Sequence, residues 1–348
     1  MFDSSNGNFD IQKSHINDKG YFVVTAGETN NGILGKSDIE ARIFEANTIT
    51  IDMFGFVFFR QFEYKMVTHA RVFSLKPKFK ITHKQGLFLA SLFKHLKTKF
   101  GYDNMCSWAK IKDDKIQLPI NKDGDIDFEF MESFVAELEA ERVAELEAYL
   151  AAASLKDYEL TADELSALSK FENYNWGEFR IGDLFTSKTG DTDLQQKDIN
   201  GKGEYFLNSG YTNCGVNGKT DRPARIFLKN TITIDFLGYV FYRNFDYKMA
   251  THNHIFSLSG EVIKNEKIGL FLVTSLSYLK NLFSFSNMGT WTKFKDLNIK
   301  LPITASGEID FEFMNNFIKA IKKLVIKDVV LYTDNKIKAT KSIVSSNQ

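Results

Sequence analysis

The chain has 348 residues, 43% of them hydrophobic, with 44 basic and 44 acidic side chains and a net charge of zero. That length suits two ordinary domains, and the hydrophobic share is that of a soluble globular protein. The opening MFDSSNGNFD is polar without a basic start, and no apolar run reaches the ~20 residues that a bilayer span needs. Neither a signal peptide nor a membrane segment is expected. Two cysteines, Cys106 and Cys214, cannot build a disulfide framework or a four-ligand zinc site, so a reducing cytoplasm is expected.

The charge is unevenly spread. Residues 125–170 carry 13 acids against 3 bases, a net −10, whereas residues 2–124 carry +5 and residues 171–307 carry +3. One acidic segment therefore masks two mildly basic ones, a balance compatible with phosphate contact.

The sequence aligns with itself at a shift of 183 residues, without a gap, from Phe2/Phe185 to Tyr149/Tyr332, with roughly 65 of about 150 positions identical. NTITIDMFGFVFFRQFEYKMVTH at 47–69 matches NTITIDFLGYVFYRNFDYKMATH at 230–252. Such a period is too long for a solenoid repeat, so each copy is a whole domain plus the helix that follows it. Only the second copy is preceded by ENYNWGEFRIGDL, at 172–184.

Within the first copy, a loop-rich opening is expected to about residue 20, then a short strand at 21–25 and a Gly/Asn-rich turn at 27–38. Strands are expected at 48–52 and 56–62, with Gly55 at the bend between them, and another at 71–75. The apolar spacing predicts a helix over 83–100, and QLPI at 117–120 closes the domain. A long helix is predicted over 128–153. The two copies of this helix share a stripe at helical spacing, Met131, Val135, Leu138, Arg142, Leu146 and Tyr149 matching Met314, Ile318, Ile321, Val325, Val329 and Tyr332. The first stripe is flanked by Glu137, Glu139, Glu141, Glu145 and Glu147, the second by Lys319, Lys322, Lys323 and Lys327. Opposite flanking charge favours pairing of the two helices with each other. Two separate amphipathic surface helices are the alternative. Thr161 and Glu164 have the spacing of a capping box in the linker.

This order of elements resembles the specificity (S) subunits of type I restriction–modification systems and the related type IIB subunits. The resemblance is carried by WGEFRIGDLF at 176–185, by the TITID…G.VF.R…Y strands at 48–64 and 231–247, by VTHARVFSL and ATHNHIFSL, and by IQLPI and IKLPI running into the helices. It covers nearly the whole chain. The short spacer and the IDFEFM motif are closer to the type IIB branch. The resemblance implies an α+β fold of two tandem β-rich target-recognition domains, each followed by a long helix, the helices pairing antiparallel. The domains would be 1–124 and 172–307, with helical segments 125–171 and 308–348. It also implies a non-catalytic subunit that binds double-stranded DNA and docks methyltransferase subunits and a restriction subunit, with no cofactor of its own. Each domain would read one half of a bipartite, near-palindromic site. The family pattern places an opening strand before each recognition domain, and the first copy has none.

Phosphate contacts call for Lys, Arg and small polar groups; base reading calls for Arg, Asn, Gln, His and Lys on loops. Positions shared by the copies are candidates for positioning: Thr29, Asn30, Lys36, Arg42, Arg60, Lys65, His69 and Lys110, with partners Thr212, Asn213, Lys219, Arg225, Arg243, Lys248, His252 and Lys293. Each could equally be a solvated surface group, a turn residue or, for the histidines, a hydrogen-bonded strand end. Trp108 and Trp291 suit a core better than a stacking platform. Positions that differ within matched loops are candidates for base choice, above all Arg71, Asn253 and His254.

A rival reading is a Mg²⁺-dependent nuclease, since Asp52 with Glu63 and Lys65, and Asp235 with Asp246 and Lys248, fit the loose pattern D…(D/E)-x-K. A second is a duplicated protein- or glycan-binding scaffold. No methyltransferase motif and no phosphate-binding loop is found.

Overall fold

The computed structural model describes residues 1–252 and 254–346, with side chains described to Lys338. Residue 253, an expected base reader, lies outside them. Two compact units result, residues 149–334 and residues 1–148 together with 335–346, so the division falls inside both long helices.

The first unit runs β1 (Phe2–Asn6), β2 (Tyr21–Val24), β3 (Ile33–Ser37), β4 (Thr48–Ile51), β5 (Val57–Arg60), β6 (Tyr64–Met66), β7 (Phe73–Pro77), α1 (His83–Leu92), α2 (Trp108–Ile111) and α3 (Phe128–Ala152). Two sheets form. The main one is antiparallel with order β1-β7-β4-β5, and the small one has order β3-β2-β6 with β2 and β6 parallel. β4, with sequence TITI, is buried on both faces. Its isoleucines enter the apolar cluster built with Leu75, Leu89, Leu96 and Met131. Its threonines face polar groups instead: Thr48 Oγ1 shares a hydrogen bond with the Tyr64 hydroxyl at 2.8 Å, and Thr50 Oγ1 accepts from Arg60 Nε at 2.9 Å. Tyr64 also donates to Ser74 Oγ at 2.7 Å, so one buried phenol ties the small sheet to two strands of the main one. Buried hydroxyls survive there because each has a partner.

The second unit repeats this with α4 (Ala162–Lys170), β8 (Trp176–Arg180), α5 (Ile181–Leu184), β9 (Thr186–Lys188), β10 (Glu204–Leu207), β11 (Val216–Thr220), β12 (Thr231–Asp235), β13 (Val240–Arg243), β14 (Tyr247–Met249), β15 (Ile255–Ser259), α6 (Glu266–Leu276), α7 (Trp291–Phe294), β16 (Asn298–Pro302) and α8 (Phe311–Ser346). Its sheets have orders β13-β12-β15-β9 and β11-β10-β14, and β8 pairs antiparallel with β16. Both units are α+β, β-rich bodies leading into a long helix, as the sequence implies. Among the described residues no helix is long and apolar enough to cross a membrane.

Several local expectations are revised. The opening of the first unit is not loop: β1 pairs with β7, Phe2 facing Pro77. Only Phe2 of FDSSN is buried, which is why alternation did not mark an edge strand. The strand expected over 56–62 breaks at Gln61, where the chain leaves the main sheet and re-enters the small one as β6. The helix expected over 83–100 ends at Leu92 and continues as a 3-10 turn, Lys94–Thr98. The Thr161/Glu164 capping box forms as expected, Glu164 Oε2 accepting from the Thr161 amide at 2.9 Å.

α1 packs on β5 through a glycine. A Cβ at Gly86 would stand 2.1 Å from the Phe59 ring, and one at Gly269 would stand 2.3 Å from Tyr242. Gly86→Ala is expected to cost about 1–2 kcal/mol through overpacking, read as a lower urea midpoint with unchanged slope.

Candidate nucleic-acid interface

In each unit the loops that carry the candidate residues are held by one buried carboxylate and one exposed one. Asp52 follows β4 and is buried. Its Oδ1 accepts from the amides of Phe54 and Phe56, both at 2.9 Å, and its Oδ2 accepts from the amide of Gly27 at 2.7 Å. The same side chain thus closes the β4–β5 turn and fastens the loop at 27–32 beside it. Asp235 does the same with Leu237, Tyr239 and Gly210. Burial pushes both carboxyls above the usual range, against the pull of these amide bonds.

Asp10 holds the turn between β6 and β7. Its Oδ1 accepts from Thr68 Oγ1 and the His69 amide, both at 3.1 Å, and pairs with His69 Nδ1. Asp193 pairs with His252 Nδ1 in the second unit. The His69 hydrogen bond holds the Asp10 carboxyl below its ordinary value. The stabilisation is therefore present above the unfolded value near 3.8 and lost only as pH falls through the lower folded value, so this turn keeps its tie across neutral pH.

Two residues further on, Arg71 and His254 both take left-handed backbone, φ 49° and 45°. Neither is glycine, and non-glycine residues adopt that region at only a few per cent of positions, histidine more readily than arginine. Arg71 is exposed, and among the described residues its guanidinium has no hydrogen bond or ion pair. It lines a cleft of about 790 Å³ together with Asn6, Thr68, Tyr102, Trp108 and Lys110. The fold thus brings Arg71 and Lys110 to one cleft across 39 positions of sequence. Trp108 is half-buried and packs on the main core while lining that cleft.

The other candidates divide by burial. Thr29 and Asn30 are exposed on a turn in which Asn30 has φ 48° and donates to the Ile33 carbonyl at 3.1 Å; Thr212 and Asn213 repeat it. Arg42 and Arg225 are exposed, and their guanidinium groups donate to the carbonyls of Asn6 and Thr189. Lys36 and Lys219 are half-exposed and lie over the rings of Phe22 and Tyr205. Lys110 and Lys293 are exposed but fold back, donating to Asn104 and Met105 and to Asn287 and Met288. Four candidates are interior. Arg60 and Arg243 are each 2% exposed, and burial lowers both guanidinium groups to about 10. Lys65 donates to the Ser37 and Ile39 carbonyls, and Lys248 to Thr220, Arg222 and the Glu204 carboxylate. These four cations are consumed by the frame, and no phosphate reaches them as placed.

Three exposed aromatics stand on these loops; Tyr211, which faces Glu28 in the alignment of the copies, is a differing loop position and so a candidate for base choice, whereas Tyr102 and Phe285 escaped the sequence reading. Tyr102 and its counterpart Phe285 are 77% and 75% exposed, and Tyr211 is 72% exposed. Tyr102 lies edge-on to Phe54 in the Asp52 turn, Phe285 to Phe236 in the Asp235 turn, and Tyr211 lies 5.6 Å from Tyr239. For Tyr102 and Phe285, aromatic identity at a matched loop position was the available signal. Their exposure was not, since it depends on which side of the loop faces the core.

The D…(D/E)-x-K groups do not assemble. Asp52 turns toward Gly27 while Lys65 is spent on the 37–39 carbonyls, and among the described residues no cluster of three His, Cys, Asp or Glu could hold a metal. Cys106 is buried, its thiol pushed up to about 11 by burial.

Two like units that share an inner frame and differ in the side chains displayed on it define a duplicated recognition scaffold. A family model, the type I restriction modification DNA specificity domain, matches residues 1–148 and again 173–331, and the chain belongs to that family as a specificity subunit with two recognition domains. The Type II restriction enzyme BgcI specificity subunit S.BcgI of Heyndrickxia coagulans is 22% identical over 324 residues, 91% of this chain and 90% of that one. The fold is similar to the crystal structure of a Type-I restriction-modification system S subunit from M. genitalium, with TM-score 0.59 and 15% identity over 99% of this chain and 92% of that one.

Proposed function

We propose that each unit reads one half of a bipartite, near-palindromic DNA site, as a non-catalytic subunit of a cytoplasmic restriction–modification complex. The observation that carries this is the turn that holds His69 and Arg71 in one unit and His252 and His254 in the other. Its frame is shared, with the same histidine on the same acid and left-handed backbone at the last position, yet that last residue is Arg71 in one unit and His254 in the other. A shared frame with different displayed groups is what two related half-sites require. Arg71 would read a base edge, while Thr29, Asn30, Arg42, His69 and Lys110 and their partners Thr212, Asn213, Arg225, His252 and Lys293 would set position against the phosphates. Tyr102, Phe285 and Tyr211 would pack against the groove walls.

The long helices would pair antiparallel through their oppositely charged flanks, set the half-site spacing and dock methyltransferase subunits. The 22% identity to a type II specificity subunit favours the type IIB branch. Methylome sequencing of a host with and without the chain is expected to show one interrupted, nearly palindromic motif gained with it. An unchanged methylome would overturn the proposal. Binding to that motif should weaken steeply with salt, as phosphate contacts release counterions.

A further inference from the structure

The two units differ on one face, beside the start of the long helix. In the second unit that face is covered by residues 157–184. β8 pairs with β16 in register Trp176↔Pro302 to Arg180↔Asn298. Tyr174 stacks on Phe313 with centroids 3.8 Å apart, Phe171 stacks on Phe317 at 4.4 Å, and Trp176 lies over Phe271 at 6.2 Å. Two acids anchor the cover: Asp310 accepts from the Tyr174 hydroxyl at 2.7 Å, and Asp296 pairs with Arg180.

The first unit keeps every element of the acceptor. Phe88, Phe130 and Phe134 stand at the positions of Phe271, Phe313 and Phe317, and Asp113 and Asp127 at those of Asp296 and Asp310. Nothing described covers them. Residues 115–119, the counterpart of β16, belong to no strand. Phe130 is 46% exposed where Phe313 is 6%, and Phe134 is 42% exposed. The three rings collapse onto one another instead, Phe130 on Phe134 at 5.8 Å and Phe88 edge-on to both. Exposed aromatics beside unpaired strand-forming backbone mark an interaction surface.

We infer that the first unit carries an acceptor site, formed by residues 115–119 with Phe88, Phe130, Phe134, Asp113 and Asp127, for a helix–strand segment of the F-x-x-Y-x-W-x-x-x-R type. The 157–184 segment of a second copy is already engaged on that copy's own second unit, so a swap would move the vacancy without filling it. The occupant adds a strand by backbone pairing, as sheet edges do with extended peptides, and its aromatic and cationic side chains meet the rings and the two acids.

The test uses a synthetic peptide of residues 159–184, labelled at its N-terminus and titrated with the full chain. The expected result is saturable 1:1 binding, with hydrogen exchange slowed at 115–119 and unchanged at 298–302. Phe130→Asp, on a half-exposed ring, should weaken the peptide at least tenfold in a chain whose circular dichroism shows it still folded, and Asp127→Asn should weaken it several-fold. Absence of binding, binding indifferent to Phe130→Asp, protection at 298–302 instead, or self-association of the chain that Phe130→Asp abolishes would each overturn the inference.

Discussion

Arg71→His is expected to shift base preference at one position of one half-site and to leave stability unchanged. The reason is geometric. His254 already occupies the equivalent left-handed position, so the β6–β7 turn accepts histidine without a new backbone conformation. The turn is tied by Asp10 to Thr68 and His69, neither of which the substitution touches. What changes is the displayed group. A guanidinium that can grip a guanine edge with two donors is replaced by a ring with one, a difference of roughly 1–3 kcal/mol, or about 5- to 150-fold in selectivity. Competition binding with duplexes substituted one base pair at a time in each half-site measures it. The unfolding free energy should stay within about 0.5 kcal/mol, as for an exposed group without partners. Preference unaltered at every position would remove Arg71 from the reading surface.

Asp52→Ala is expected to act in the opposite way, costing about 2–3 kcal/mol of stability in the first unit without changing which bases are preferred. Three backbone amides, those of Gly27, Phe54 and Phe56, lose their acceptor in a largely buried place. The loss is moderated because the buried carboxylate is itself costly. Its raised value means that the neutral form suits the fold better, a preference present below the unfolded value and lost as pH rises through the folded one. Asp52→Asn, which keeps one acceptor oxygen and removes the charge, should lose less than half as much. Denaturant unfolding measures both. The loop at 27–32 should also open to hydrogen exchange, since Gly27 is released, and DNA affinity should fall modestly. A nuclease reading expects instead a folded, normally stable protein with cutting abolished.

The contrast between these two residues shows what was legible in advance. Arg71 was found because two aligned loops differ there, which requires only the sequence. Asp52 and Asp235 were visible as a matched pair, but a carboxylate after a strand can equally ligate a metal or cap a turn. Only the placement of the Gly27 loop across the strand end decides between them. Arg60, Lys65 and their partners show the same limit from the other side. A conserved-looking cation in a strand reads as a phosphate contact, yet β4 presents threonines and the 37–39 segment presents carbonyls that draw these cations inside. Long aliphatic stems allow that burial where the charged head meets acceptors, as Lys65 does at the Ser37 and Ile39 carbonyls.

By itself the sequence determined the duplication, the α+β order of strands and long helix in each copy, the masking of two basic bodies by one acidic helix, and the family resemblance. Each of these rests on periodicity or identity along the chain, which needs no third dimension. The tertiary structure decided three further things: that β1 is an edge strand, that four of the candidate cations serve the frame, and that an aromatic face covered in one unit lies open in the other. Those depend on which segments meet across tens of residues, and identical side chains such as Phe130 and Phe313 differ in exposure only because their neighbours do.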